Sequence, residues 1–275
     1  MKIISKTFSF PACLSCILLI LVALPCFATN TETWNQSDEN NPASIDHGAW
    51  QELLKRYLST NHPSGVNRVR YKNFSAADKQ ALKSYLSELQ SIDPRQYNRA
   101  EQMAYWINLY NALTVDLILD NYPVKSIKKT GKKLFSFGPW DDQLAQIEGN
   151  DLTLNDIEHK ILRPIWKDRR IHYAVNCASY GCPNLSATAF TVKNTESLLE
   201  QGATDYINHP RGVSLHDGDL KVSSIYHWYS EDFGGDNTKL LLHLKRYAKP
   251  ELKQALETFD GSIDHAYDWS LNDAS

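Results

Sequence analysis

Ala104-Tyr-Trp-Ile-Asn-Leu-Tyr-Asn-Ala-Leu-Thr-Val115 lies inside the longest apolar stretch that follows the amino-terminal region. The surrounding pattern predicts a helix from about Arg95 to Leu119. Its apolar residues fall on more than one face, so the helix should be buried on several sides and the rest of the chain should pack around it. Asn108 and Asn111 interrupt that surface. A buried amide must find partners, so these two either tie down neighbouring backbone or help to form a polar pocket.

Working back from this helix, the spacing of Leu53, Leu54, Tyr57 and Leu58 gives an amphipathic helix that begins near Gly48. Residues 66–74 read as a short strand or extended loop. Ser75 opens a further helix with the stripe Leu82, Tyr85, Leu86 and Leu89, which Asp93-Pro94 stops. Working forward, Tyr122-Pro123 ends the long helix. Leu152-Thr153-Leu154 suggests a short strand that enters a helix capped by Asn155, with Glu158 and His159 on its rim and Pro164 at its end. Helices are expected at 195–208, 224–233, 238–247 and 251–259. Residues 212–223 form a hairpin closed by Asp217-Gly218, and 266–271 alternate like a terminal strand. Helices outnumber strands and interleave with them. The expectation is an α+β fold: a single, mainly helical domain over residues 48–275 around a small, mainly antiparallel sheet.

The amino terminus reads differently. Lys2 and Lys6 precede an apolar run from about Ala12 to Leu24, and Ala28 supplies a small residue, the order of a secretory signal cleaved after Ala28. Residues 29–47 are rich in Asn, Ser, Thr, Asp and Glu and read as a flexible tether. The protein is therefore expected to be exported, periplasmic or secreted, with no stable membrane insertion after cleavage. The chain of 275 residues is 42% hydrophobic and 22% charged, with a formal net charge of −3. Loss of Lys2 and Lys6 makes that about −5. Nothing in this balance attracts nucleic acid, and the one basic cluster, 125–133, reads as a solvated loop. A small molecule or peptide is the expected partner class. Of the five cysteines, only Cys177 and Cys182 survive cleavage.

These two lie in Ile171-His-Tyr-Ala-Val-Asn-Cys-Ala-Ser-Tyr-Gly-Cys-Pro-Asn-Leu185. An apolar, β-prone run ends at Asn176-Cys177, and a turn-rich segment follows, so a strand is expected to deliver a thiol to a loop.

Several separated blocks together resemble the domain of unknown function 547 family: Tyr105 to Ala112, Leu154 to His159, Arg170 to Ala174 running into Asn176-Cys177 and Cys182-Pro183, and Tyr267 to Asn272. The resemblance covers most of the chain after about residue 95. The family's arrangement of helix, sheet and Cys-bearing loop is similar to papain-like and transglutaminase-like hydrolases at the level of fold. One departure is plain: in papain-like proteins the nucleophile comes first and the His later, whereas His172 precedes Cys177.

Three readings of the cysteines stay open. In the first, Cys177 is a nucleophile of a hydrolase or acyl-transferase-like site, activated by His172, His159 or His227, with Glu158 as orienting group or base, Asn176 as oxyanion donor and Asn108 as a polar neighbour. On an uninterrupted strand His172 and Cys177 would point to opposite faces, so this reading needs a bend near Asn176. In the second, Cys177 and Cys182 form a structural or redox disulfide in a non-catalytic binding domain, as suits an oxidising compartment. In the third, a His joins both thiols at a metal; the spacing of the cysteines fits zinc knuckles poorly. Trp106, Trp140, Trp228 and Tyr229 read as packing residues. No phosphate-binding Gly-rich loop, two-His zinc helix or Ser elbow is present, so no cofactor or metal is expected.

Overall fold

A computed structural model describes residues 31–131, 138–216 and 218–274. The expected signal segment, the first two tether residues and Asp217 of the hairpin turn lie outside these residues. Helices α1 (Thr31–Trp34) and α2 (Gly48–Tyr57) lead through the two-strand ribbon β1 (Leu58–Ser59) and β2 (Arg68–Val69) to α3 (Ala76–Gln90). Ser75 caps α3 by accepting the Asp78 N–H, which satisfies one of the helix's orphan donors. The long helix, α4, runs from Arg99 to Asn121. It starts later than its periodicity suggests because Pro94–Gln96 forms a 3-10 turn capped by Asp93, after which Asn98 caps α4 itself.

The hairpin of β3 (Ala145–Ile147) and β4 (Asn150–Leu152) feeds a helical segment whose middle, Asp156–Leu162, is a π-helix that continues into α5 (Arg163–Trp166). Asn155 does not cap it; its amide donates to Asp141. Thr153 and Asp156 instead exchange hydrogen bonds at 2.8–3.0 Å, a reciprocal box of the capping-box kind. Pro164 does not end the segment either. It is the second residue of α5, just after the π-helix, and Lys167 in the left-handed conformation (φ 52°) closes the helix.

The remaining elements are α6 (Thr195–Ile207), β5 (Val213–His216), β6 (Asp219–Ser223), α7 (Ile225–Trp228), α8 (Asn237–Tyr247), α9 (Pro250–Glu257) and β7 (Ile263–Ala266). The class is α+β, with strands gathered into small separate sheets of two or three rather than one. Pairing is antiparallel except between β6 and β7, which run parallel. Of the terminal strand expected at 266–271, Ala266 ends β7 and Leu271 joins Ser179 through an isolated bridge, with a second bridge from Val69 to Asp273 beyond it.

Helix α4 is buried along nearly its whole length and belongs to the larger apolar cluster, with α2 and α3. A smaller cluster lies among α6, α8 and the three-stranded sheet. Residues 171–175 bridge the two, since Ile171, Ala174 and Val175 enter the first and Tyr173 the second. The expected flexible tether is corrected over its described part: Trp34, Ile45 and His47 are buried, Trp34 packs edge-on against Trp106 at 5.3 Å, and the Ile45 N–H donates to Glu101 at 2.7 Å. Its polar composition conceals three apolar or aromatic anchors, whose burial offsets part of the cost of ordering the residues around them.

The expected strand before Cys177 is absent. Residues Arg169–Tyr173 form a 3-10 helix capped by Asp168, which accepts the Arg170 N–H, and Arg170 is clamped by Asp168, Glu196 and Glu200. Beyond it, Asn111 takes the place of a neighbouring strand. Its amide donates to the Ala174 carbonyl at 2.9 Å and accepts the Asn176 N–H at 2.8 Å. Asn108 treats Phe190 in the same way, at 2.8 and 3.0 Å. Both amides therefore tie down backbone.

Asn108→Ala leaves a buried N–H and a buried carbonyl of Phe190 without partners, so urea unfolding should show a loss of about 3 kcal/mol. A loss below about 1 kcal/mol would contradict this tie.

Candidate functional site

A cleft of about 700 Å³ opens over α4. Tyr110 of α4, Glu158 of the π-helix and His172 of the 3-10 turn lie on its lining, as do Cys177, Cys182 and Pro183 of the loop. Aromatic side chains make much of the rest, Trp140, Trp228, Tyr229, Tyr267 and Trp269, with Asp141 and Asn155 as further polar residues. Trp228 is 45% exposed and stacks against Trp269, whose ring also meets Trp140 and Tyr267 at 5.4 and 4.5 Å. Trp140 and Trp228, expected only to pack, thus present surface to the cleft. Trp106 is fully buried as expected.

The π-helix matters here because its wider turn changes which side chains share a face. The Arg163 N–H reaches back to the Glu158 carbonyl, and Glu158 and Arg163, five apart, come to the same charged cluster. His172 Nε2 lies 2.6 Å from Asp232 Oδ2 and its Nδ1 lies 3.5 Å from Glu158 Oε1. Arg163 Nε donates to the same Asp232 oxygen at 2.6 Å, and the Tyr110 hydroxyl bonds Glu158. The His172 ring stacks on Tyr229 at 4.4 Å, and the Arg163 guanidinium lies over the same Tyr229 ring at 4.8 Å.

These contacts set the charges. Burial opposes an imidazolium at His172, but the hydrogen bonds to Asp232 and Glu158 outweigh it and raise its pKa above the ordinary 6.5. Burial likewise pushes the Glu158 carboxyl up, and the bond to His172 with the charges of both histidines brings it below its usual range. Asp232 is held low against its own burial by His172 and Arg163. His172 thus lies between two carboxylates that favour its imidazolium form.

Cys177 and Cys182 are joined in a disulfide, their Cα atoms 6.2 Å apart. Cys177 is half-buried and Cys182 is buried. The nearest hydrogen-bonding side chain given to Cys177 Sγ is the Tyr267 hydroxyl at 3.0 Å, and the same hydroxyl lies 3.2 Å from Cys182 Sγ. The loop between the cysteines is drawn tight by Asn176, whose amide donates to the Pro183 carbonyl at 2.7 Å and accepts the Ala178 N–H at 2.9 Å. The carboxy-terminal segment then covers it. Tyr180 and Gly181 N–H groups donate to the Ser270 and Asp268 carbonyls at 2.7 and 2.8 Å. Only glycine fits at 181, because a Cβ would come within 2.9 Å of the Asp268 backbone.

Of the residues singled out from sequence, Cys177, Cys182, His172 and Glu158 meet in the cleft. Asn108 does not: it is fully buried beneath the 190 loop and touches none of the lining polar groups. His159 lies outside the cleft lining, with Nδ1 3.1 Å from Arg163 and 4.0 Å from Glu158. His227 is exposed and lies beside His265, with the two rings tilted and their centroids 4.9 Å apart. Asn176 directs its amide to the Pro183 carbonyl within the loop. Sequence reasoning missed Asp232, Arg163, Tyr110 and Tyr267. Asp232 is 60 positions from its histidine, and no local spacing marks it; Tyr267 stands within a block that resembles the family, the one signal available for it. Among the described residues no group of three His, Cys, Asp or Glu side chains is placed to hold a metal ion, and no helix is long and apolar enough to cross a membrane.

The sign of the pH dependence follows from these shifts. The raised His172 contributes stability that is complete below the ordinary imidazole value of 6.5 and is lost as pH rises through the folded value. The depressed carboxylates contribute above their ordinary values of 3.8 and 4.5 and lose it as pH falls. At pH 5.5, between those limits, His172→Gln should cost about 3 kcal/mol, because it strips a buried partner from two carboxylates. Urea unfolding from pH 5 to 9 should show that difference shrinking at alkaline pH; a constant gap across the range would show that His172 is not a buried cation.

No curated protein and no solved structure matches the chain. A family model does match, over residues 94–207, which takes in α4, Glu158, His172 and both cysteines but not Asp232 or Tyr267. The model that these residues match is that of the family described as Protein of unknown function, DUF547, and it takes in less than half of the 275 residues.

Proposed function

We propose that the protein is an exported binding domain, periplasmic or secreted, whose aromatic cleft takes a small molecule or peptide side chain with a flat apolar face. The observation that carries this reading is the Cys177–Cys182 bridge in the cleft wall. A sulfur held in a disulfide is no nucleophile toward an acyl group, and both nitrogens of His172 face carboxylates. Exposed Trp228 beside Trp269 supplies a surface on which a planar ligand stacks. Glu158 and Tyr110 supply the few polar contacts that orient a ligand in such a pocket.

A second reading, a thiol-centred hydrolase or acyl transferase, draws on the placement of Cys177, His172 and Glu158 around one cleft. It requires the bridge to open and a base to reach Cys177.

Two measurements on the mature chain separate the readings. Under the binding reading, native protein treated with iodoacetamide at neutral pH stays unmodified, and both cysteines alkylate only after reduction. Anilinonaphthalene sulfonate binds the native cleft, and Trp228→Ala weakens it about tenfold through lost stacking. Two thiols alkylated without reductant would defeat this reading and favour the hydrolase; unchanged dye affinity in the tryptophan variant would remove the cleft as the binding surface.

A further inference from the structure

We propose that Cys177–Cys182 is a reactive disulfide that exchanges with thiols entering the cleft, with Cys177 the sulfur attacked and Cys182 the leaving sulfur. The inference rests on the cleft reading above and adds an activity to it. Three features of the geometry assign the roles. Both cysteines line the cleft, but Cys177 is half-buried whereas Cys182 is 4% exposed, so an incoming thiol meets Cys177. Cys182 Sγ already receives a hydrogen bond from the Cys177 N–H at 2.9 Å, and the Tyr267 hydroxyl, 3.2 Å from it and 3.0 Å from Cys177 Sγ, can turn its one proton to Cys182 once that sulfur carries the charge. Those donors are held in place before any charge appears. The Cys177 amide belongs to the loop fixed by Asn176, and Tyr267 follows β7 in the segment that covers that loop.

Disulfide exchange speeds up when the departing sulfur is a stabilised thiolate. In the first step the thiolate of a dithiol attacks Cys177 Sγ. A bond forms between that sulfur and Cys177, the Cys177–Cys182 bond breaks, and its electron pair leaves on Cys182 as a thiolate held by the two donors. In the second step the other thiolate of the dithiol attacks its own partner sulfur in the mixed disulfide and expels Cys177 as a thiolate. The dithiol is oxidised to a disulfide, the protein bridge is reduced to two thiols, and the two protons lost by the dithiol end on the protein thiols or in water. Burial pushes the Tyr267 hydroxyl well above the usual tyrosine range, so its proton stays available for donation at neutral pH.

The rival role, a bridge that only fastens the loop, needs neither donor. The test uses the mature full chain and dithiothreitol as the dithiol, with reduction followed by timed alkylation and intact mass. Tyr267→Phe should be reduced several-fold more slowly than wild type, on the order of fivefold, and the two should react alike once unfolded in urea. Equal native rates would overturn the assignment. Independently, Cys182→Ser treated with glutathione disulfide should carry glutathione on Cys177, while Cys177→Ser should leave Cys182 unmodified until unfolded; glutathione found on native Cys182 would also overturn it. If the bridge resists dithiothreitol while dye still binds the cleft, this inference fails alone. If native protein holds two free thiols, the binding reading fails with it.

Discussion

Two amides on one helix hold the site in shape. Asn108 and Asn111 sit on α4 three residues apart, one turn of a face, and each makes with loop backbone the pair of hydrogen bonds that a neighbouring strand would otherwise make. The segment from 174 to 190 has almost no regular secondary structure, and buried backbone without a ladder must be satisfied by side chains. The longest apolar helix therefore carries polar residues in its centre. Without them the cysteine loop would lie on α4 with orphaned peptide groups, each costing about 1–3 kcal/mol.

The charged cluster beside that loop obeys a harsher version of the same rule. Glu158 and His172 are buried, and ions of that kind persist only where partners replace the lost hydration. Here the partners come from four places in the chain: Tyr110, Arg163, Asp232 and the pair itself. The π-helix brings Glu158 and Arg163 toward one cluster, which a regular α-helix would set about 140° apart on its surface. The irregular turn and the buried charges thus explain each other.

Much of the fold was legible from periodicity alone. The stripes of α2, α3, α6 and α8 and the β5–β6 hairpin fall where spacing and caps put them, because each buries one face against the core and local sequence reports that burial directly. The candidate site was legible only by residue type. His172 and Cys177 were separated by assuming a strand from an apolar run; Ile171, Tyr173, Ala174 and Val175 are apolar because they join two cores, not because they alternate. Asn108 illustrates the opposite error, since a buried amide suits a pocket or a peptide group equally and only the neighbouring loop decides which. Asp232 was invisible because an exposed-looking acid in a polar turn carries no mark of the histidine it serves. Trp34 escaped for the same reason: one aromatic in a polar run anchors a segment without any period.

The bridge itself is the piece least explained by stability. Closing a loop between cysteines five apart contributes only about 2 kcal/mol in the chain-entropy model, and this loop is already closed by Asn176, by the backbone bonds of Tyr180 and Gly181, and by the approach of Asp268 that demands glycine. That gain is made in the unfolded chain, so these contacts do not change it; they do close the loop in the fold without help from the bridge. What the bridge does uniquely is put two sulfur atoms at the surface of an aromatic cleft, with the Cys177 N–H directed at the inner one and the Tyr267 hydroxyl within reach of both. A fastening could lie anywhere along the loop, on its solvent side as well as here. The donors and the lining position together make sense for sulfur that is meant to be reached, and the stiff loop around it is then the support that keeps those donors aimed while the bond between the sulfurs changes.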